Sequence, residues 1–198
     1  MLRSSVIRPT ASLGGLETEA ASDDSKMMAE RNIKMLQWLW LSVIVIAVDL
    51  FSKFLASTQL DYALSVPVLP FFNLTLLHNT GAAFSFLADA SGWQRWFFAV
   101  LAIVVSIMLT LWLTRLKPSE KWIACALSLV LGGALGNLYD RIVHGYVVDF
   151  LHFYYDSYHF PAFNIADSAI TVGAIMIAID IFRQHQNPEQ KSEQEKVS

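Results

Sequence analysis

The stretch Gly132–Ser168, GGALGNLYDRIVHGYVVDFLHFYYDSYHFPAFNIADS, decides the fold. An apolar helix runs up to Tyr139, breaks at the charged pair Asp140-Arg141 and leaves through His144-Gly145. Asp149 follows almost at once. The chain then crosses an aromatic loop and enters a second apolar helix at Phe163-Asn164, with Asp167 in its first turn. One helix ends and the next begins on the same face of a membrane, which sets Asp149 and Asp167 at similar depth. Carboxylates at a membrane boundary are costly and need a reason to be there. Two that approach each other suggest a dyad sharing one proton, in which one carboxylate activates water while the other donates.

Outward from that stretch, composition sets the class. Of 198 residues, 55% are hydrophobic and 16% charged, against roughly 45–50% and about 25% in ordinary soluble domains. The excess gathers in four runs, at about 35–55, 93–114, 122–139 and 163–182, each near the ~20 residues of a bilayer crossing. An all-α polytopic membrane protein follows. The net charge of −3 gives no footprint for a nucleic-acid partner. The single cysteine, Cys125, lies inside an apolar run, which excludes a disulfide framework and argues against a thiol nucleophile.

Residues 1–30 are small, polar and of mixed charge, and read as a disordered tail. Met27 and Met28 stand just before Arg31 and Lys34, where the natural start could lie. Residues 31–184 form the membrane domain, and 185–198 a second polar tail. Between the first two spans, residues 57–91 carry neither Lys nor Arg and no helix-length apolar run. Pro67 and Pro70 bracket a short extended piece. Residues 71–78 and 82–87 flank Asn79-Thr80-Gly81, a hairpin-like turn signal in which Gly81 supplies backbone freedom. The expectation is a small sheet lying on the membrane surface, with Phe84 and Phe86 facing lipid or substrate.

Basic residues fix the orientation. They precede the first span (Arg31, Lys34), join the second to the third (Arg115, Lys117, Lys121) and follow the fourth (Arg183, Lys191), with Arg95 the exception. Both termini are then cytoplasmic, and Asp49, Lys53, Asn79, Asn137, Arg141, Asp149 and Asp167 all belong to the outer half. Several of these have structural readings as well. Asp49 and Lys53, one helical turn apart, can be an ion pair, a support for the site, or both. Asn164 can cap the last helix with Asp167 as its partner in the first turn. Asp140 is expected to pair with Arg141 at the helix end. Asn137 and Arg141, four apart, turn toward one pocket.

Five blocks carry a resemblance: V-D-L-F-S-K from Val48, N-T-G-A-A-F-S from Asn79, G-N-L-Y-D-R from Gly136, V-V-D-F from Val147 and F-N-I-A-D-S from Phe163. In this order on a four-span chain, over roughly residues 33–182, they resemble the lipoprotein signal peptidases, also called signal peptidase II. The resemblance implies that Asp149 and Asp167 are the catalytic pair of an aspartyl peptidase. It further implies that Asn79, Asn137 and Arg141 line the pocket, and that Asp49, Lys53 and Asn164 support it. A surface β-cradle would stand where the small sheet is expected. The substrates would be diacylglyceryl-modified prolipoproteins, cut before the lipidated cysteine at the periplasmic face of the bacterial inner membrane, with no metal and no cofactor. Membrane lipids would be the other partner, and a monomer is expected. The rival class is an ion-coupled transporter using the same acids, but that reading calls for acidic residues near the midplane and internal repeats. Here the charges gather at one surface.

Overall fold

The computed structural model describes residues 35–81 and 92–186. The expected tail at 1–30, the segment 82–91 with Phe84 and Phe86, and residues 187–198 lie outside the described residues. In chain order the elements are α1 (Leu39–Gln59), β1 (Ser65–Leu69), β2 (Phe72–Asn79), α2 (Trp93–Arg115), α3 (Lys121–Val143), β3 (Val147–Tyr155), β4 (Tyr158–His159) and α4 (Ile165–Gln186). All four helices are long and apolar enough to cross a membrane. Helix α1 runs four residues past the expected end at 55, because Asp49 and Lys53 find partners inside the bundle and do not end the span.

Helix α3 is the centre of the bundle and packs against the other three. Its glycines make this possible. A Cβ at Gly132 would stand 2.7 Å from Cβ of Val45 on α1, and one at Gly133 would collide with the carbonyl oxygen of Ala166 on α4. Lipid tails are as apolar as leucine, so close backbone approach rather than hydrophobic exclusion holds such helices together. Outward-facing residues such as Phe51, Val100, Met108, Ile175 and Phe182 stay exposed on the bundle. At one end, Met35, Leu109, Leu113, Ile123 and Leu127 close a core between α1, α2 and α3.

At the opposite end the sheet runs β1-β2-β3-β4, antiparallel throughout. Leu76, Val148 and Phe150 seat it on Ala56 of α1. One expectation needs correction here, the aromatic loop after Asp149. Among the described residues a hairpin turn stands at Pro70-Phe71 between β1 and β2, where Pro67 is tolerated because β1 is an edge strand; the second arm expected at 82–87, beyond Asn79-Thr80-Gly81, lies outside the described residues. Strand β2 also pairs with residues 147–155, strand β3, so the aromatic stretch after Asp149, expected as a loop, is extended through Tyr155. Val147, Val148 and the aromatics after Asp149 suit a pleated, half-buried surface, and this local preference outweighs the helix-to-helix reading. The register sets Asn79 opposite Val147 and Leu77 opposite Asp149, so Asn79 and Asp149 are diagonal neighbours on one face.

Candidate active site

Four elements deliver the site. Helix α3 ends at His144 and Gly145, whose N–H groups both donate to the Asp140 carbonyl, with Gly145 left-handed at φ +87°. That tight exit puts Asp149 at the start of β3, within reach of the first turn of α4. The turn itself is a reciprocal cap. The Asp167 N–H donates to Oδ1 of Asn164 at 2.9 Å, and the Asn164 N–H donates to Oδ2 of Asp167 at 3.3 Å. Asn164 is therefore the cap expected from the sequence, and it does more. Its side-chain Nδ2 donates to Oδ1 of Asp149 at 2.8 Å and lies 3.2 Å from Oδ1 of Asn137 and from the Val148 carbonyl. One fully buried asparagine thus touches both aspartates.

Asn79 completes the hold on Asp149. Its Nδ2 donates to Oδ2 at 3.0 Å, while its own Oδ1 accepts the Gly81 N–H at 2.9 Å. Turn chemistry and site chemistry coexist in this residue. Gly81, at φ +99°, lies so close to Phe98 that a Cβ would stand 2.8 Å from its ring. Asn137 serves Asp167 in the same way, its Nδ2 donating to Oδ1 at 2.7 Å. The Asn137 carbonyl accepts from Nη1 of Arg141 at 3.1 Å, and the guanidinium lies 5.3 Å over the Phe98 ring.

Behind this layer stands a buried charge cluster. Lys53 Nζ donates to Oδ1 of Asn137 at 2.9 Å and stands 2.7 Å from Asp49 and 3.0 Å from Asp140. Three acceptors meet the three hydrogens of the ammonium. Asp49 also accepts the Ala166 N–H at 2.8 Å, placing a carboxylate of α1 at the N-terminal end of α4. Asp140 is the correction. Its partners are Lys53, the Val148 N–H at 3.1 Å and the His144 ring at 3.7 Å rather than Arg141, so it ties the end of α3 to the first residues of β3. Sequence reasoning missed that bridge because its two ends come from different spans.

The two carboxylates differ in setting. Asp149 is 3% exposed, and Asp167 is half-buried. Burial first, and the Asp167 charge second, push the Asp149 carboxyl up from 3.8 to about 7, against the donors Asn79 and Asn164 that favour its ionised form. Two acids held this way can keep one proton near neutral pH. That arrangement can draw a proton from water at one carboxylate and give one to a carbonyl oxygen from the other.

A family model described as Signal peptidase (SPase) II matches residues 41–183. The chain belongs to the signal peptidase II family. It is a peptidase and a multi-pass bacterial membrane protein. The lipoprotein signal peptidase of Acinetobacter baumannii is 61% identical over 145 residues, covering 73% of this chain and 82% of that one. The protein of the same name from Pseudomonas paraeruginosa is 58% identical over 156 residues, covering 78% and 92%. That from Pseudomonas syringae pv. tomato is 52% identical over 164 residues, covering 82% and 95%. A solved structure described as a bacterial membrane enzyme, obtained by the in meso method at 2.3 Å resolution, superposes with TM-score 0.68 at 34% identity, covering 76% of this chain and 90% of that one. In this signal peptidase II family member, residues from all five sequence blocks meet around Asn137 and Asn164 or, through Asn79, at Asp149.

Proposed function

We propose that this peptidase removes signal peptides from diacylglyceryl-modified prolipoproteins, cutting before the lipidated cysteine, with Asp149 and Asp167 as its acid–base pair. The observation that carries the reading is the double hold of Asn164 on Asp149 and Asp167, at one end of four helices long and apolar enough to span a membrane. One carboxylate, ionised, takes a proton from water, and the water oxygen attacks the scissile carbonyl carbon. The other, protonated, donates to the carbonyl oxygen. Collapse of the tetrahedral intermediate breaks the C–N bond, and the amine leaves with a proton. The shared proton belongs to the pair.

The site residues divide by what they touch. Asn79 and Asn164 hold Asp149, Asn137 holds Asp167, and Gly81 shapes the turn that aims Asn79. Arg141 stands beside the pair for the substrate backbone or lipid headgroup. Asp49 and Lys53 position Asn137 and the start of α4. The basic flanks of the spans support an inner-membrane orientation with both termini cytoplasmic and the site near the periplasmic face. Residues 31–184 form the working unit, a monomer needing membrane lipid around it.

Little of the described chain outside the spans can grip a peptide by sequence, apart from the sheet. The acyl chains of a modified substrate are held by burial worth about 0.8 kcal/mol per CH₂, which confines the scissile bond to the plane of the dyad. The test is cleavage of one precursor with and without its diacylglyceryl group, at equal density in reconstituted bilayers. The unmodified form should be cut at least tenfold more slowly. Equal rates would replace the lipoprotein reading with that of a general signal peptidase.

A further inference from the structure

Away from the dyad, each of the four strands gives one side chain to a single polar row. Ser65 Oγ of β1 lies 2.8 Å from Thr75 Oγ1 of β2, and Thr75 Oγ1 lies 3.2 Å from Nδ1 of His152 on β3. Nε2 of His152 in turn lies 3.2 Å from Nδ1 of His159 on β4. The two imidazoles are stacked, with centroids 5.1 Å apart and planes at 29°. Tyr154 stacks on His159 at 5.7 Å and 17°, so the outer ring is held from a second side.

The geometry points to a divalent transition-metal site of the Zn²⁺, Cu²⁺ or Ni²⁺ class, with Nε2 of His152 and Nδ1 of His159 as its two protein ligands. An ion 2.0–2.1 Å from two imidazole nitrogens sets them about 2.9–3.4 Å apart, for angles between square and tetrahedral. The present separation of 3.2 Å falls inside that interval. Imidazole suits these three ions. A metal-bound histidine ordinarily gives its other ring N–H to an oxygen, which fixes tautomer and ring orientation. Thr75 stands in that place, with Ser65 within hydrogen-bond distance to take the Thr75 hydrogen when the ring N–H donates to Thr75. On binding, the hydrogen between the two rings leaves that line, and His159 carries its proton on Nε2. Two neutral imidazoles then coordinate, and water fills the remaining positions.

The location gives the site a consequence. His159 is five residues before Asn164, and the Phe160 N–H already donates to the Phe153 carbonyl at 2.9 Å. A bound ion would fasten β4 to β3 just ahead of the residue that holds Asp149. His152 lies on the face of β3 opposite to that of Asp149, so the ion would not enter the dyad.

The test uses the full chain in detergent micelles, purified through a tag free of histidine and cysteine. Calorimetric titration with Zn²⁺ should show one saturable site, weakened at least tenfold by His152→Ala or His159→Ala and unchanged by His185→Ala. Cu²⁺ should give an electron-spin spectrum with coupling to two imidazole nitrogens, lost in either variant. His159 is exposed and His152 half-buried, and thermal melting in the absence of metal checks that the variants remain folded. Unchanged affinity in the two variants, or no saturable site in the parent, overturns the assignment.

Discussion

Nδ2 of Asn164 donates to Oδ1 of Asp149 at 2.8 Å, so the first turn of α4 holds a carboxylate that belongs to β3. The same residue caps its own helix through Oδ1. These two duties can be separated. Asn164→Ala loses both, and should cost about 1 kcal/mol as a lost cap, together with at least a hundredfold in cleavage rate. Asn164→Asp keeps an acceptor for the Asp167 N–H but sets a third carboxyl beside Asp149. It should fold near normally and still lose cleavage. Thermal melting beside a cleavage assay reads both, and an active Asn164→Asp enzyme would remove the bridge from the mechanism.

The Asp149 carboxyl, raised to about 7 by burial and by Asp167, sets a direction for pH. A carboxyl whose folded value lies above its unfolded value of about 3.9 favours the folded state most at low pH. That contribution is complete below the unfolded value and is lost as pH rises through about 7. Cleavage should follow on its alkaline side, because the pair then loses the proton it donates. kcat/KM should fall above about pH 7. Asn79→Ala removes a donor that lowers the Asp149 value, so its alkaline limb should move to higher pH. A limb that moves to lower pH contradicts the hydrogen bond as drawn.

Lys53 stands between Asp49 and Asp140 in this buried cluster, within 3.0 Å of both. Lys53→Met leaves two carboxylates without it, and breaking a buried pair in this way costs about 3–5 kcal/mol. Folded protein should largely disappear from the membrane. Asp140→Asn should lower abundance less. Arg141→Ala should leave abundance near normal while slowing cleavage, since Arg141 is not the partner of Asp140. Equal loss of folded protein in Arg141→Ala and Asp140→Asn would restore the helix-end pair expected from sequence.

What the sequence disclosed, and what it hid, follows from range. The four spans are visible because hydropathy is a property of consecutive residues. Asp149 and Asp167 stood out because an acid beside an apolar run has few cheap explanations. The cap at Asn164 was legible too, being a contact between residues three apart. Strand β3 was not, since the His144-Gly145 exit before VVDFLHFYY reads equally well as the start of a loop, and its partner β2 lies some seventy residues earlier. Nor was the Lys53–Asp140 pair, whose members sit on different spans and meet only once α1 packs on α3. Asn79 shows the limit most clearly. Its turn role is written locally in Asn79-Thr80-Gly81, whereas its bond to Asp149 depends on the β2–β3 register.

Orientation has a direct test. In a background with Cys125→Ala, a cysteine replacing Ser65 or Ser157, both in or beside the sheet, should react with an impermeant thiol reagent added outside intact inner membrane. One replacing Ser119, between α2 and α3, should be protected. The opposite pattern would put the dyad on the cytoplasmic side.

Gly136 offers the sharpest separation of packing from chemistry. A Cβ there would stand 2.6 Å from Oδ2 of Asp49 and 3.3 Å from its Cγ. The carboxylate has nowhere to retreat, because Oδ1 holds the Ala166 N–H and Oδ2 faces Lys53 at 2.7 Å. Alanine brings about 1 kcal/mol of helix propensity, but overpacking a fitted contact costs typically about 1–3 kcal/mol. Stability should therefore fall modestly in Gly136→Ala. The larger effect should be on turnover. If Asp49 moves, Lys53 moves with it, Oδ1 of Asn137 loses its donor, and the amide that serves Asp167 is free to turn. Gly132→Ala is the control, since its Cβ would meet Val45 and the Ser42 carbonyl at similarly short range, one helical turn away from the charge cluster. Both variants should lose folded protein, while only Gly136→Ala should lose cleavage per folded molecule, by tenfold or more. Equal specific activity in the two would mean that the buried charges hold the bundle together without positioning the dyad.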